Sequence, residues 1–315
     1  MKKIWLYISM FVTVVAQSQT LSYTLEKENT DIKFAQGKLS VWDILLSTSR
    51  MTFSGGVGGK LYMNGLYVSA NYNFHYLDNL AEASSTQNIR GSSIYKPTKS
   101  RDADLTVGYF YQKETDGKVR VNLKSTSKVT HYTYVDAKYN KIMGVQLGYK
   151  SGFSQLTIPQ GINVTDYYLP SSGTIKTDAG MTTYMQYGWL SFGPSYGKVV
   201  DVAADFKGLG VRKSQYFKRF YANVLVATKG KLEDVYYTEG YGSSNPLVHR
   251  YVLDGNVTMS KLGFNVGFET FKFSKVGFIY GLEVGLMPGV KVASAGNGYL
   301  SVKWGILFGK QFGGN

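Results

Sequence analysis

The 315-residue chain carries 35 Lys and Arg against 21 Asp and Glu, 26 Tyr, 17 Phe, 36 Gly and no Cys. The lack of cysteine excludes disulfides, thiolate metal sites and cysteine nucleophiles together. A hydrophobic share of 43% excludes neither a soluble fold nor a membrane barrel, since only alternate residues of a barrel strand face lipid. The formal charge of +14 raises nucleic-acid binding first. The N-terminus redirects that expectation towards export, and hence towards outer-membrane lipid headgroups and lipopolysaccharide, with no nucleic acid.

Lys2 and Lys3 form a basic start, Ile4 to Val15 a short apolar core, and Ala16-Gln17-Ser18 a small-residue cleavage site before Gln19. The apolar run is too short to cross a bilayer about 30 Å thick as a helix, so a cleaved signal peptide over 1–18 is expected. No cysteine follows the core, which excludes lipoprotein processing. Loss of Lys2 and Lys3 would lower the charge to +12, 33 basic against 21 acidic groups.

Residues 19–50 begin polar and then hold Leu39, Val41, Trp42, Ile44, Leu45 and Leu46. A first strand, a lumen plug and a partner-binding extension all fit. From Met51 the chain reads as strands of alternating polarity. Met51 to Tyr62 leads through Asn64-Gly65, a strong hairpin signal, into Leu66 to Leu77. There Leu66, Val68, Ala70, Tyr72, Phe74 and Tyr76 share one face and Tyr67, Ser69, Asn71, Asn73 and His75 the other. Leu105, Val107, Tyr109 and Tyr111 form the next apolar face. A turn is expected at Thr115-Asp116-Gly117, followed by Val119, Val121 and Leu123, and then by Met143, Val145, Leu147 and Tyr149. Met181 to Phe192, Val199 to Val211 and Phe220 to Lys231 alternate less cleanly. Leu262 to Glu269, Val276 to Leu286 and Leu300 to Phe308 are regular again.

That makes eleven strands, and an even number is usual for a bacterial single-chain barrel. A twelfth fits in Asp31 to Leu46, or an extra pairing in Thr126 to Tyr139. The expectation is an all-β, antiparallel, up-and-down transmembrane β-barrel over 51–315, of about 12 strands with 10 to 14 open. Short turns alternate with long connections (Asp78 to Asp102, Leu232 to Val257), as outer-membrane barrels place turns on the periplasmic side and loops outside. The signal ending Ala16-Gln17-Ser18-Gln19, the Gly-Gly-Val-Gly-Gly run at Gly55 to Gly59 and the aromatic final strand together resemble Bacteroidota-type outer-membrane β-barrel proteins over Met51 to Phe312. Many outer-membrane proteins end on a Phe read by assembly machinery. Here Phe308 and Phe312 come close, but Gly313-Gly314-Asn315 follow.

Asp104, Arg120, Lys124, Asp201, Asp205, Glu269, Glu283 and Lys303 fall on the expected inner faces, either as a charged constriction or as a structural plug of ion pairs. Arg212, Lys213, Lys218 and Arg219 read as an interfacial basic cluster around a turn at Ser214 to Phe217, reaching lipid phosphates. His75, His131 and His249 lack metal-ligand spacing, and no cofactor is expected. The serine on the face of His75, Ser69, lies about 20 Å away; a serine of a neighbouring strand could approach it, but no hydrolase site is legible. Phe153 to Ala179 is long for a connection and a candidate for recognition. Two functions fit: a passive channel for small solutes filtered by lumen charge, or a closed-barrel scaffold or subunit of an outer-membrane complex. An enzyme is not expected.

Overall fold

The computed structural model describes residues 21–47, 50–78, 100–125, 130–157, 163–166, 174–176, 182–239, 247–253, 257–292 and 298–312. The signal segment, most of the Asp78 to Asp102 connection and Gly313-Gly314-Asn315 lie outside them.

The strands are β1 (Tyr23–Glu28), β2 (Lys33–Ser47), β3 (Arg50–Met63), β4 (Leu66–Asp78), β5 (Arg101–Ser125), β6 (Thr130–Thr157), β7 (Asn163–Asp166), β8 (Thr174–Lys176), β9 (Thr182–Phe206), β10 (Gly210–Leu232), β11 (Val235–Glu239), β12 (Leu247–Leu253), β13 (Val257–Ser260), β14 (Leu262–Phe271), β15 (Val276–Leu286), β16 (Gly289–Val292) and β17 (Gly298–Phe312). Ten of them close on themselves in the order β2-β3-β4-β5-β6-β9-β10-β14-β15-β17, all antiparallel, with β17 pairing β2. The protein is a transmembrane antiparallel β-barrel.

Alternation decides which side meets lipid. On β4 the Leu66 and Phe74 face is exposed, whereas Tyr67, Ser69, Asn73 and His75 are buried inside. The outer belt continues through Leu105, Val107, Val145, Phe192, Val224, Phe264 and Leu282. Phe192 is 57% exposed and Tyr109 65%, exposures that suit lipid. At the end where the turns are short, a lysine stands at the foot of many outward apolar runs: Lys33, Lys113, Lys141, Lys198, Lys218, Lys272 and Lys310. Long cationic side chains there can lie along the belt and place their ammonium groups among anionic headgroups. On β15 the outward run spans Val276–Leu286, 11 residues. At about 3.4 Å per residue and a tilt of about 40° this is roughly 25 Å, the height of a barrel's apolar band.

Ten strands rather than about 12 follow from two mergers and one addition. The polar stretch at Thr115-Asp116-Gly117 is not a turn, since Asp116 pairs with Lys138 and Gly117 with Ala137 within one continuous β5–β6 hairpin. Likewise the described part of Met181 to Phe192, from Thr182, and the start of Val199 to Val211 belong to the single strand β9, whose turn comes at Phe206 to Gly210. Of Thr126 to Tyr139, the described residues from Thr130 onward supply the start of β6. The barrel begins at Lys33, not at Met51.

The physical reason for the long strands lies beyond the barrel. Along the outward face of β9 run Leu190, Phe192, Pro194 and Tyr196, then Lys198, then Val200, Val202, Ala204 and Phe206. The first group faces lipid; the second is fully buried. Its cover is the far half of the β5–β6 hairpin, which leaves the wall once β6 stops pairing β9 at Asn140↔Val199. Val119, Val121, Leu123, Val135 and Ala137 pack on Val200, Val202, Ala204 and Phe206, with Tyr23 and Leu25 of β1 beside them. β1 takes the edge of β9 that β6 vacated, pairing Tyr23 with Phe206. The short-turn end therefore carries a two-layer β-sandwich with its own apolar core. At the opposite end the long connections order one another: β11, β12, β7 and β8 extend from β9 as a small sheet, and β13 pairs β16.

One turn shows how local chemistry fixes register. Asn64 (φ 51) and Gly65 (φ 83) both hold positive φ between β3 and β4. A Cβ at Gly65 would also stand 2.4 Å from the Phe110 carbonyl oxygen, so only glycine fits.

Val121→Asp should open the sandwich, because a charge buried without a partner costs about 3 kcal/mol or more. Limited proteolysis would then cut the β5–β6 hairpin while the heat-modifiable gel shift of the barrel persists. Loss of that shift as well would show that the sandwich is not separable from barrel folding.

Candidate functional site

The lumen is built from the inward residues of all ten barrel strands, and it is full. At the short-turn end an aromatic floor crosses it. Phe34 stacks on Phe273 at 5.2 Å between ring centres and Phe217 on Phe271 at 5.0 Å, with Tyr62 and Tyr67 each 5.5 Å from Phe217. Ile32, Phe110, Ile142, Val199, Ile279 and Leu307 complete the layer. Below it Asp201 accepts hydrogen bonds from Asn29 (3.1 Å), Gln215 (2.8 Å) and Gln311 (2.6 Å), tying β1's end, β9, β10 and β17 together. Towards the long-loop end Tyr187, Trp189, Leu225, Met287 and Tyr299 form a second apolar cluster.

Between floor and ceiling lies a continuous polar network. The Lys60 ammonium donates to Glu269, to Tyr67 Oη (2.8 Å) and to Ser69 Oγ (3.2 Å). Arg219 donates to the same carboxylate through Nε (2.9 Å) and Nη2 (2.7 Å), and through Nη1 to Gln146. Gln146 then donates to Asn223 (3.0 Å), Asn223 to Asn265 (2.8 Å), and Asn265 to Tyr299 (3.2 Å). Tyr299 and Tyr221 both donate to Glu283, at 2.5 and 2.7 Å, with the Lys303 ammonium 4.0 Å away. Nearer the long loops Asp102 accepts from Asn73 (2.9 Å) and meets His75 Nε2 at 2.9 Å and Lys150 at 3.7 Å. Lys38 lies 3.7 Å from Asp43.

Charge is balanced. The groups lining the interior voids include Lys38, Lys60, Lys150, Arg219 and Lys303 against Asp43, Asp102, Asp104, Glu269 and Glu283, five against five. The voids themselves measure about 90 and about 30 Å³. Among the described residues these voids are of a size for water molecules. Glycine makes the packing possible. A Cβ at Gly193 would stand 1.8 Å from the Ala222 carbonyl oxygen and one at Gly144 2.0 Å from that of Tyr109, so these inward positions tolerate no side chain.

Of the residues expected in the lumen, Asp104, Glu269, Glu283 and Lys303 are there, and Asn71 donates to Asp104 at 2.9 Å. The others are not. Asp201 lies beneath the floor. Asp205 sits in the sandwich, paired with Thr24. Arg120 lies on the hairpin with its guanidinium 3.8 Å from the Tyr132 ring centre, and Lys124 is at the hairpin's far end opposite His131. Asp201, Asp205 and Arg120 have the strand parity of inward residues and Lys124 follows a register shift, but the strands outlast the barrel. The basic cluster also divides. Its residues lie within β10, not at a turn, and a strand turns successive residues to opposite faces. Lys218 points outward, its ammonium 5.4 and 5.0 Å from the Phe220 and Phe268 ring centres, whereas Arg219 is buried in the lumen. Lys60, the second cation on Glu269, is unannounced by any motif; only its inward parity on β3 marks it. Among the described residues no group of three metal-ligating side chains comes together.

No protein-family model matches this chain, and no curated protein matches it. Among solved structures, the NanC porin aligns over 88% of this chain and 98% of its own, at 10% identity and a TM-score of 0.26. The transport unit of the autotransporter AIDA-I from Escherichia coli aligns over 98% of this chain and 96% of its own, at 10% identity and a TM-score of 0.20. Superposition this loose bears no weight, so the membrane-barrel assignment rests on strand closure, the apolar belt and the lysine collar.

Glu269 is the shared anion of Lys60 and Arg219, so its loss strands two buried cations. Glu269→Gln should lower unfolding stability by about 3–5 kcal/mol, and Lys60→Met by clearly less. Urea unfolding of the micelle-bound barrel reads this. Equal effects would deny Glu269 its central place.

Proposed function

We propose that the protein is a closed barrel of the outer membrane of a Gram-negative bacterium, of the Bacteroidota type, exported with a cleaved signal peptide. It acts as a scaffold or subunit of an outer-membrane assembly through the structures at its two ends. One observation carries this reading. The interior is filled by a charge-balanced network between an aromatic floor and an apolar ceiling, so it offers a solute neither space nor a net field. The passive-channel alternative needs both.

What the barrel holds up is substantial. The short-turn end presents the sandwich of β1, the β5–β6 hairpin and β9–β10, facing the periplasm in this reading. The long-loop end presents the sheet of β7, β8, β11 and β12, which includes part of the Phe153 to Ala179 stretch. Outer-membrane lipid and lipopolysaccharide are the partners along the wall, and a protein partner is the one at the ends. No catalytic role is part of this proposal; His75 is held against Asp102 inside the lumen.

Planar-bilayer recording tests this. The native protein should insert without stable conductance steps. Phe217→Ala, which removes a ring in contact with Phe34, Tyr62, Tyr67 and Phe271 of the floor, should give brief openings that confirm insertion. Reproducible steps from the native barrel would restore the channel and end the closed-barrel account.

A further inference from the structure

Six cations converge on one groove at the short-turn end. Lys198, Lys218 and Lys272 come from the collar at the foot of the wall, Lys118 and Arg120 from the hairpin of the sandwich, and Lys213 from β10 where it runs on below β14. The groove holds about 620 Å³, and its lining includes Ser214, Thr270 and Ser274 but no carboxylate. The lumen cations each face a carboxylate, whereas these six, mostly exposed along the groove, have none in its lining, and like charges gathered this way favour an anion among them.

The cations are also held in place by rings. The Lys198 ammonium is 5.5 and 5.4 Å from the Tyr139 and Tyr216 ring centres, and Lys218 lies over Phe220 and Phe268. The hairpin is fixed against β10 by the Ser214 hydroxyl, which donates to the Arg120 carbonyl oxygen at 2.8 Å. This cleft therefore exists only because the sandwich folds against the barrel wall.

The groove's position indicates its occupant. Its upper margin is Lys218 with Phe220 and Phe268, the lowest residues of the lipid-facing belt on β10 and β14. A ligand seated there would have its anionic part among the ammonium groups and any apolar part along the belt. A free acidic peptide would use the first feature and not the second.

We propose that this groove binds an anionic glycerophospholipid of the phospholipid leaflet, with phosphate held by Lys198, Lys213, Lys218, Lys272 and Arg120 and acyl chains lying on the belt. Two phosphates suit six cations better than one, so a diphosphatidylglycerol headgroup is the preferred form. The inference rests on the membrane orientation given above and is independent of whether the lumen conducts.

Native mass spectrometry of the full-length protein in mild detergent tests it. The probes are diphosphatidylglycerol, phosphatidylglycerol, phosphatidylethanolamine, inorganic phosphate and a poly-glutamate peptide. Diphosphatidylglycerol should be retained at least tenfold better than phosphatidylethanolamine. The triple variant Lys198→Gln, Lys213→Gln, Lys272→Gln should abolish that preference. Arg101→Gln with Lys229→Gln, in a groove at the opposite end of the wall, should leave it intact. Equal retention of charged and zwitterionic lipid, undiminished preference in the triple variant, or displacement of lipid by inorganic phosphate or poly-glutamate at equal concentration would each overturn the proposal. The native protein's preference decides the matter even if the variant fails to fold. A barrel that conducts yet keeps its lipid would end the closed-barrel reading and leave this one standing.

Discussion

The Glu269 carboxylate, shared between Lys60 on β3 and Arg219 on β10, is the interaction on which the interior depends. β3 and β14 lie four places apart in a ring of ten strands, so the pair reaches across the lumen instead of along the wall. A barrel of this size has little interior to spare, and alternation obliges about half of every strand to project into it. Those side chains must be polar enough to keep the outside apolar, yet they are shut away from bulk water. A buried charge in that setting is tolerable only when paired and hydrogen-bonded. Lys60, Arg219 and Glu269 meet the requirement together, Lys38 and Asp43 are paired at 3.7 Å without a hydrogen bond between them, and the five cations and five carboxylates around the voids leave their lining in electrical balance.

The same requirement explains where the chain's excess positive charge goes. With the lumen balanced, the surplus falls to the surface, and part of it gathers at one level: the lysine collar below the apolar belt. Lys198 illustrates the division of labour. On β9 it separates a lipid-facing run ending at Tyr196 from a buried run starting at Val200, so one residue marks both the edge of the membrane and the start of the sandwich. Lys113 does the same on β5 between Tyr111 and Val119. The outward face is continuous in parity but meets three environments in turn: lipid, headgroup and protein.

β1 shows how the sandwich and the barrel are joined. When the β5–β6 hairpin leaves the wall it frees an edge of β9, and an unpaired edge is a liability. β1 covers that edge, and the chain then passes from Asn29 to β2 beneath the floor, where the Asp201 cluster clasps it. The N-terminal stretch is thus neither a free extension nor a lumen plug; it closes the sandwich and then supplies a barrel strand.

Alternation with period two is a local property, so the chain itself specified most of the barrel's strand segments, the lipid-facing residues of β4, β14, β15 and β17, the Asn64-Gly65 turn and the inward placement of Asp104, Glu269, Glu283 and Lys303. It also announced membrane-barrel character, because apolar faces that long have no other cheap cover. What alternation lacks is any record of which strand lies opposite which, or of where a strand leaves the wall. The pairing of Lys60 with Glu269 spans more than two hundred residues, and only closure of the ring brings them together. The apolar run at Val119, Val121 and Leu123 looks in sequence like one more membrane strand, and Thr115-Asp116-Gly117 like the turn before it. Tertiary packing on β9 makes that run a protein core and that turn a piece of straight strand. Parity fixed the face of each residue; its environment depended on distant strands that only the closed fold sets beside it.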